Sequence, residues 1–204
     1  MATPDKKWFT KCMDLVDQKR YTEALDCLDQ VILLNSNNAD AWCEKGKILI
    51  RLQRFEESLQ YFDNALKIEP NHKEAWYYKG VSLHKLNRLK ESLKCFDKVI
   101  ELDRSDIKAW LAEGNVYVDM RKYKNALRYY TKATEIDPNY ATAWLAKGNV
   151  LAAMGKYEDA LGCYDRALEI DPHYGIAWYA KGGVLQKLGR KAEAKVCFEK
   201  FNSL

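Results

Sequence analysis

Six cysteines and three histidines are the residues of this 204-residue chain best suited to metal binding or nucleophilic chemistry. Zinc needs thiolates or imidazoles grouped at short spacing, most simply as Cys-x-x-Cys. Cys12, Cys27, Cys43, Cys95, Cys163 and Cys197 contain no such pair. His72, His84 and His173 lie in no His-Glu-x-x-His motif, and His72 and His173 read as residues of solvated loops. There is no Gly-rich phosphate loop and no Gly-x-Ser-x-Gly. Carboxylates are plentiful but run along helical surfaces, as in Phe55-Glu56-Glu57 and Tyr157-Glu158-Asp159, where they find partners one turn away. The expectation is a protein with no catalytic residue, no metal and no cofactor.

The elements that carry these residues are set by a repeat. The six tryptophans, Trp8, Trp42, Trp76, Trp110, Trp144 and Trp178, are 34 residues apart at every step. Four residues on stand Gly46, Gly80, Gly114, Gly148 and Gly182, with Cys12 in the first copy. Sixteen after each Trp is a small residue (Ala24, Ser58, Ser92, Ala126, Ala160, Ala194). Four further on is a large one (Leu28, Phe62, Phe96, Tyr130, Tyr164, Phe198), and Pro70, Pro138 and Pro172 close three units.

This pattern resembles the tetratricopeptide repeat, whose signature is W-x2-L-G-x2-Y, then A-x3-F, then P. The resemblance spans essentially the whole chain. In the fifth copy it rests on Trp144, Gly148, Leu151, Ala160, Tyr164 and Pro172. Phrases such as AWLAKGNVLAAMGKYEDALGCYDRALEIDP resemble repeats of archaeal and bacterial members. Two departures are systematic. Lys replaces the Leu before Gly at Lys11, Lys45, Lys79, Lys147 and Lys181, with Glu113 in the fourth copy, and Leu replaces Tyr in all copies but the fourth. The Lys stems are expected to cover apolar surface while their ammonium groups meet carboxylates, the alternative being a stripe that attracts an acidic partner.

The resemblance implies an all-α, right-handed solenoid of six helix-turn-helix repeats forming one domain over residues 1–204. The repeats fall at about 5–38, 39–72, 73–106, 107–140, 141–174 and 175–204. With Trp as position 4, helix A takes positions 1 to 14 and helix B roughly 18 to 30. Gly155 and Gly189 sit where a turn ends a helix with positive φ, and with Lys19, Gln53, Asn87 or Arg121 there the turn is expected to be strained or differently closed. Asn71, Ser105, Asn139 and Thr3 (followed by Pro4) read as N-caps. Trp, Leu at position 11 and the aromatic at position 24 are expected to fill the space between units.

Charge and length bound the partners. Lys+Arg 33 against Asp+Glu 29 gives +4, too little for a nucleic-acid footprint, and no apolar run could span a bilayer. With no secretory h-region at the start, the chain reads as cytoplasmic with reduced thiols. The resemblance implies a noncatalytic scaffold that binds a peptide or protein segment in a concave groove lined by the A helices. The candidate groove residues are Tyr77, Lys108, Leu111, Asn115, Val118, Leu145, Asn149 and Tyr179. The family's clamp for a chaperone's terminal carboxylate needs Lys at position 5. That position reads Phe9, Cys43, Tyr77, Leu111, Leu145, Tyr179, so the clamp is not assembled. Alternatives are a self-associating assembly module, a homo-oligomer joined through Phe198, Phe201 and Leu204, or the recruitment arm of a larger enzyme.

Overall fold

A computed structural model describes residues 4–204, so the Thr3 cap lies outside the described residues. These residues form twelve α-helices and no strand: α1 (Pro4–Asp17), α2 (Tyr21–Leu34), α3 (Ala39–Arg51), α4 (Phe55–Ile68), α5 (Lys73–Lys85), α6 (Leu89–Leu102), α7 (Ile107–Asp119), α8 (Tyr123–Ile136), α9 (Ala141–Ala153), α10 (Tyr157–Ile170), α11 (Gly175–Lys187) and α12 (Lys191–Asn202). The fold is an all-α helical repeat solenoid. It divides into two compact units, α1 to α6 and α7 to α12, with the division between Arg104 and Ser105.

The turn inside each repeat is closed in one way. Lys19, Gln53, Asn87 and Arg121 take φ of 55 to 60°, and Gly155 and Gly189 take 75 and 76°. That left-handed step lets the next amide reach back five residues. The N–H of Arg20, Arg54, Arg88, Lys122, Lys156 and Arg190 donates to the carbonyl of Leu15, Leu49, Leu83, Tyr117, Leu151 and Leu185, at 2.8 or 2.9 Å. Orphan carbonyls of the A helix are thereby satisfied.

Inside a repeat, the glycine at position 8 makes room for the ring at position 24. A Cβ on Gly46, Gly114 or Gly148 would stand 2.5, 2.4 or 2.6 Å from Phe62, Tyr130 or Tyr164. Those three rings are fully buried, as is Phe96. A methyl group cannot enter without displacing them.

Four sequence expectations need correction. The tryptophans do not fill the interior. Trp8 is 38% exposed and the rest are half-buried. Trp42, Trp76, Trp144 and Trp178 instead donate Nε1–H to the carbonyl six residues earlier (Ser36, Pro70, Pro138, Pro172), bracketing the loop that enters the repeat. A half-buried indole keeps part of its water and gains one hydrogen bond.

The caps lie one residue later than read: His72 and Asp106 accept from Ala75 N–H and Ala109 N–H, and Asn38 caps α3 likewise, while Tyr140 precedes α9 without a side-chain cap. His72 is not a solvated loop residue. It is buried, its Nδ1 accepts from Ala75 N–H at 3.2 Å, and its Nε2 lies 3.1 Å from Asp40. The cap needs an unprotonated Nδ1, so the ring proton sits on Nε2 and points to Asp40. His173 is exposed, as read.

The thiols are not all reduced. Cys12 and Cys27 form a disulfide with their Cα atoms 5.5 Å apart, while Cys43, Cys95, Cys163 and Cys197 are free and buried. The register explains the bond. Position 8 and position 23 face each other across the helix pair, and a Cβ at Gly148 would lie 3.2 Å from the Cβ of Cys163. Only the first repeat has cysteine at both positions, and Leu28 in place of a ring leaves the space that Cys12 fills.

Candidate functional site

Three lysines of the position-7 row meet carboxylates, as their chemistry suggested, whereas among the described residues Lys11 and Lys147 only cover an indole. Lys45 pairs with Asp29, and Lys79 and Lys181 pair with Asp63 and Asp165 at 2.5 and 2.6 Å. The ammonium groups of Lys11, Lys79, Lys147 and Lys181 also lie 4.7, 5.6, 5.2 and 5.6 Å from the ring centres of Trp8, Trp76, Trp144 and Trp178. Each lysine thus covers its own indole face.

Among the described residues no group of three His, Cys, Asp or Glu could hold a metal ion. The free thiols are made poor nucleophiles by burial. Desolvation pushes Cys95 up to about 11, and raises Cys43, Cys163 and Cys197 as well.

The A-helix face of the second unit is different in kind. Asn115, Asn149 and Gly183 share position 9 on α7, α9 and α11. Both asparagines are exposed, and a Cβ on Gly183 would meet nothing within 4 Å, so this row faces open space. Each amide is held from behind. Tyr130 Oη donates to Asn115 Oδ1 at 2.5 Å, and Tyr164 Oη donates to Asn149 Oδ1 at 3.0 Å. Burial pushes the Tyr164 phenol up to about 12 and Tyr130 higher still, so both keep the proton they donate. With Oδ1 engaged, each amide presents its N–H2 donors outward.

The remaining candidates separate. Leu111 and Val118 pack around Tyr130 and Val150 and are half-buried. Lys108 is exposed on α7. Leu145 is 6% exposed and belongs to the core formed with α10 and α11, so it supports the face and is not presented on it. Tyr179 is 58% exposed, and its ring lies 5.8 Å from Phe198 and 5.3 Å from Phe201. It therefore joins the groove set to the terminal set. Phe201 stands at the position of Val31, Ala65, Val99, Ala133 and Ala167, which are fully buried, and it packs 3.4 Å from the Cβ site of Gly175. Phe201 and Leu204 remain 40% and 55% exposed. Tyr77 belongs to the first unit, where it meets Tyr78 edge-on and Phe96 at a tilt. Sequence reading missed the phenol support of the two amides. The signal was present as a Tyr fifteen residues after Asn in the fourth and fifth repeats only.

A family model described as tetratricopeptide repeat matches residues 10–71, 43–107, 111–173 and 145–195. No curated protein matches the chain. Among solved structures it is similar to PilW, a type IV pilus biogenesis factor, at TM-score 0.88 and 18% identity, covering 100% of this chain and 94% of that one. It is similar to YrrB, described as having an unusual peptide-binding site, at TM-score 0.67 and 24% identity over 85% and 90% of the two chains. MamA from Desulfovibrio magneticus matches at TM-score 0.77 and 21% identity, over 85% and 98%. At these identities the likeness shows the fold. No helix among the described residues is long and apolar enough to cross a membrane.

Proposed function

The chain belongs to the tetratricopeptide repeat family, and on that premise we propose a noncatalytic scaffold whose second unit holds a partner's extended segment on its A-helix face. The family's fold is one of protein–protein interaction. The observation that carries the reading is the pair of amides, Asn115 and Asn149, fixed by buried tyrosine hydroxyls with their donors outward. Donors repeated at one position of successive repeats suit the carbonyls of an extended backbone. Small and apolar neighbours such as Ala112, Ala146, Ala152 and Val118 leave space for its side chains, with Lys108 and Tyr179 as exposed flanks. Free thiols raised by burial and a histidine occupied in a cap favour binding over catalysis.

The test is an array of immobilised peptides probed with the wild type and with Asn115→Ala/Asn149→Ala. Peptides retained by the wild type and lost by the variant support the reading, and equal retention contradicts it. Self-association through Phe198, Phe201 and Leu204 is the second reading, favoured by the exposure of Phe201 and Leu204. Constant molar mass across a hundredfold dilution, about the range that exposes micromolar association, would exclude it. The Cys12–Cys27 bond favours an oxidising compartment over the cytoplasm expected from the start of the sequence.

A further inference from the structure

Adjacent repeats are joined by two recurring ion pairs. Arg88 at position 16 meets Glu56 at position 18 of the repeat before, at 3.5 Å, and Lys79 at position 7 meets Asp63 at position 25 of that repeat, at 2.5 Å. The sixth repeat meets the fifth identically: Arg190–Glu158 at 3.5 Å and Lys181–Asp165 at 2.6 Å. In the step from the fourth repeat to the fifth, the cations are kept as Lys156 and Lys147, and both carboxylates are gone. Their places hold Lys124 and Thr131.

The surface left behind is strongly basic. Residues 121–137 carry Arg121, Lys122, Lys124, Arg128 and Lys132 against Glu135 and Asp137, whereas the equivalent 155–171 carries two cations and five carboxylates. Lys132 pairs with Glu135 at 3.2 Å, both well exposed. Among the described residues no ion pair joins a carboxylate to Arg121, Lys122, Lys124, Arg128, Lys147 or Lys156. Asp159, on α10, makes no ion pair with Lys147 or Lys156 either. Lys124, Arg128 and Lys132 recur every fourth residue, so they line one stripe of α8. A cavity of about 300 Å³, lined by Trp110, Arg128, Tyr129 and Lys132, opens on that stripe. The rings of Trp110 and Tyr129 lie 5.6 Å apart within it.

We propose that the outward face of α8, with Lys147 and Lys156 of the next repeat, docks an acidic segment of a partner protein. Two of its carboxylates take the places of the missing position-18 and position-25 anions, and an aromatic or aliphatic side chain between them enters the Trp110–Tyr129 cavity. Seven helical residues separate those two places by roughly 10 Å, the span of about three residues of extended chain. An acidic peptide fits this better than a nucleic acid does. The cations cover one helix stripe of a chain with net charge +4, and the cavity admits one side chain. Lys124 and Lys156 hold the positions at which Glu56 and Arg88 meet in the sister step, and like charges so placed favour an anionic partner.

The test uses a fluorescein-labelled, end-capped peptide, Glu-Ala-Phe-Glu within a neutral flank, read by anisotropy. Lys124→Glu/Thr131→Asp installs the two carboxylates that the sister repeats already possess. The melting temperature is expected to rise by about 2 °C or more, which shows the variant folded. Peptide affinity is expected to fall about tenfold or more. Replacing both glutamates of the peptide by glutamine should abolish binding, and replacing its phenylalanine by alanine should weaken it. Gly183→Trp on the A-helix face should leave binding unchanged, which separates this site from the one above. Unaltered affinity in the double variant overturns the proposal. So does a fall in melting temperature, or tighter binding of oligothymidylate or of phosphatidylserine vesicles than of the peptide.

Discussion

The A-helix faces of the two units use their polar groups in opposite ways. In the first unit they are spent on one another. Lys47 bridges Glu44 at 2.6 Å and Glu74 at 3.5 Å while its ammonium lies 5.2 Å from the Tyr78 ring centre, His72 is aimed at Asp40, and Arg51 reaches the Tyr21 hydroxyl. In the second unit the corresponding row is Asn115, Asn149 and Gly183, with amides backed by phenols and facing outward. One repeat register therefore supports two kinds of surface. A face whose charges are already paired must break those pairs to take a ligand, whereas preset donors cost little further ordering.

The comparison can be broken first at the helix crossing on which both faces stand. Gly148→Val pushes a side chain into the Tyr164 ring, whereas Gly183→Val adds it to open space. Thermal unfolding should show the first losing about 3 kcal/mol or more and the second changing by no more than about 1 kcal/mol. Equal effects would mean that the register is wrong.

Next in size is the first unit's own solution of the same crossing. Cys12→Ala removes a bond closing a loop of separation 15, for which chain entropy gives about 3 kcal/mol. Added reductant should lower the wild-type melting temperature by a similar amount and leave the variant's unchanged. Trp144→Ala should cost less, about 2 kcal/mol, because the indole is half-buried and loses one hydrogen bond to Pro138. The smallest effect sharpens the comparison most. Tyr164→Phe should cost about 1 kcal/mol, and the Asn149 side-chain amide resonances should move to the shifts of a solvated amide in a nitrogen-edited spectrum.

The repeat, the helix pairs and the turns at Gly155 and Gly189 were legible because each depends on residues close in sequence or on a fixed spacing, whereas the same turn at Lys19, Gln53, Asn87 and Arg121 was not, because residues other than glycine seldom take positive φ. What escaped was contact across the helix pair. Position 8 faces position 23, and position 9 faces position 24, fifteen residues apart. Six cysteines scanned for short-range metal spacing gave no hint of a pair held together by packing, and Asn115 and Asn149 read as exposed amides without their phenols. His72 was misread because histidine is an uncommon N-cap, although its Nδ1 can accept the cap hydrogen bond as an asparagine oxygen does. Leu145 was placed on the groove by helical angle alone. The neighbouring α11 covers it, and a helical wheel has no neighbours.

The most direct measurement is calorimetric titration of a peptide selected by the wild type against Gly183→Trp. That substitution sets an indole at the open end of the position-9 row, where an added Cβ meets nothing within 4 Å. The expected result is an unchanged or raised melting temperature together with loss of the peptide's binding. Undiminished affinity in a folded Gly183→Trp protein would contradict a binding site on the A-helix face of the second unit.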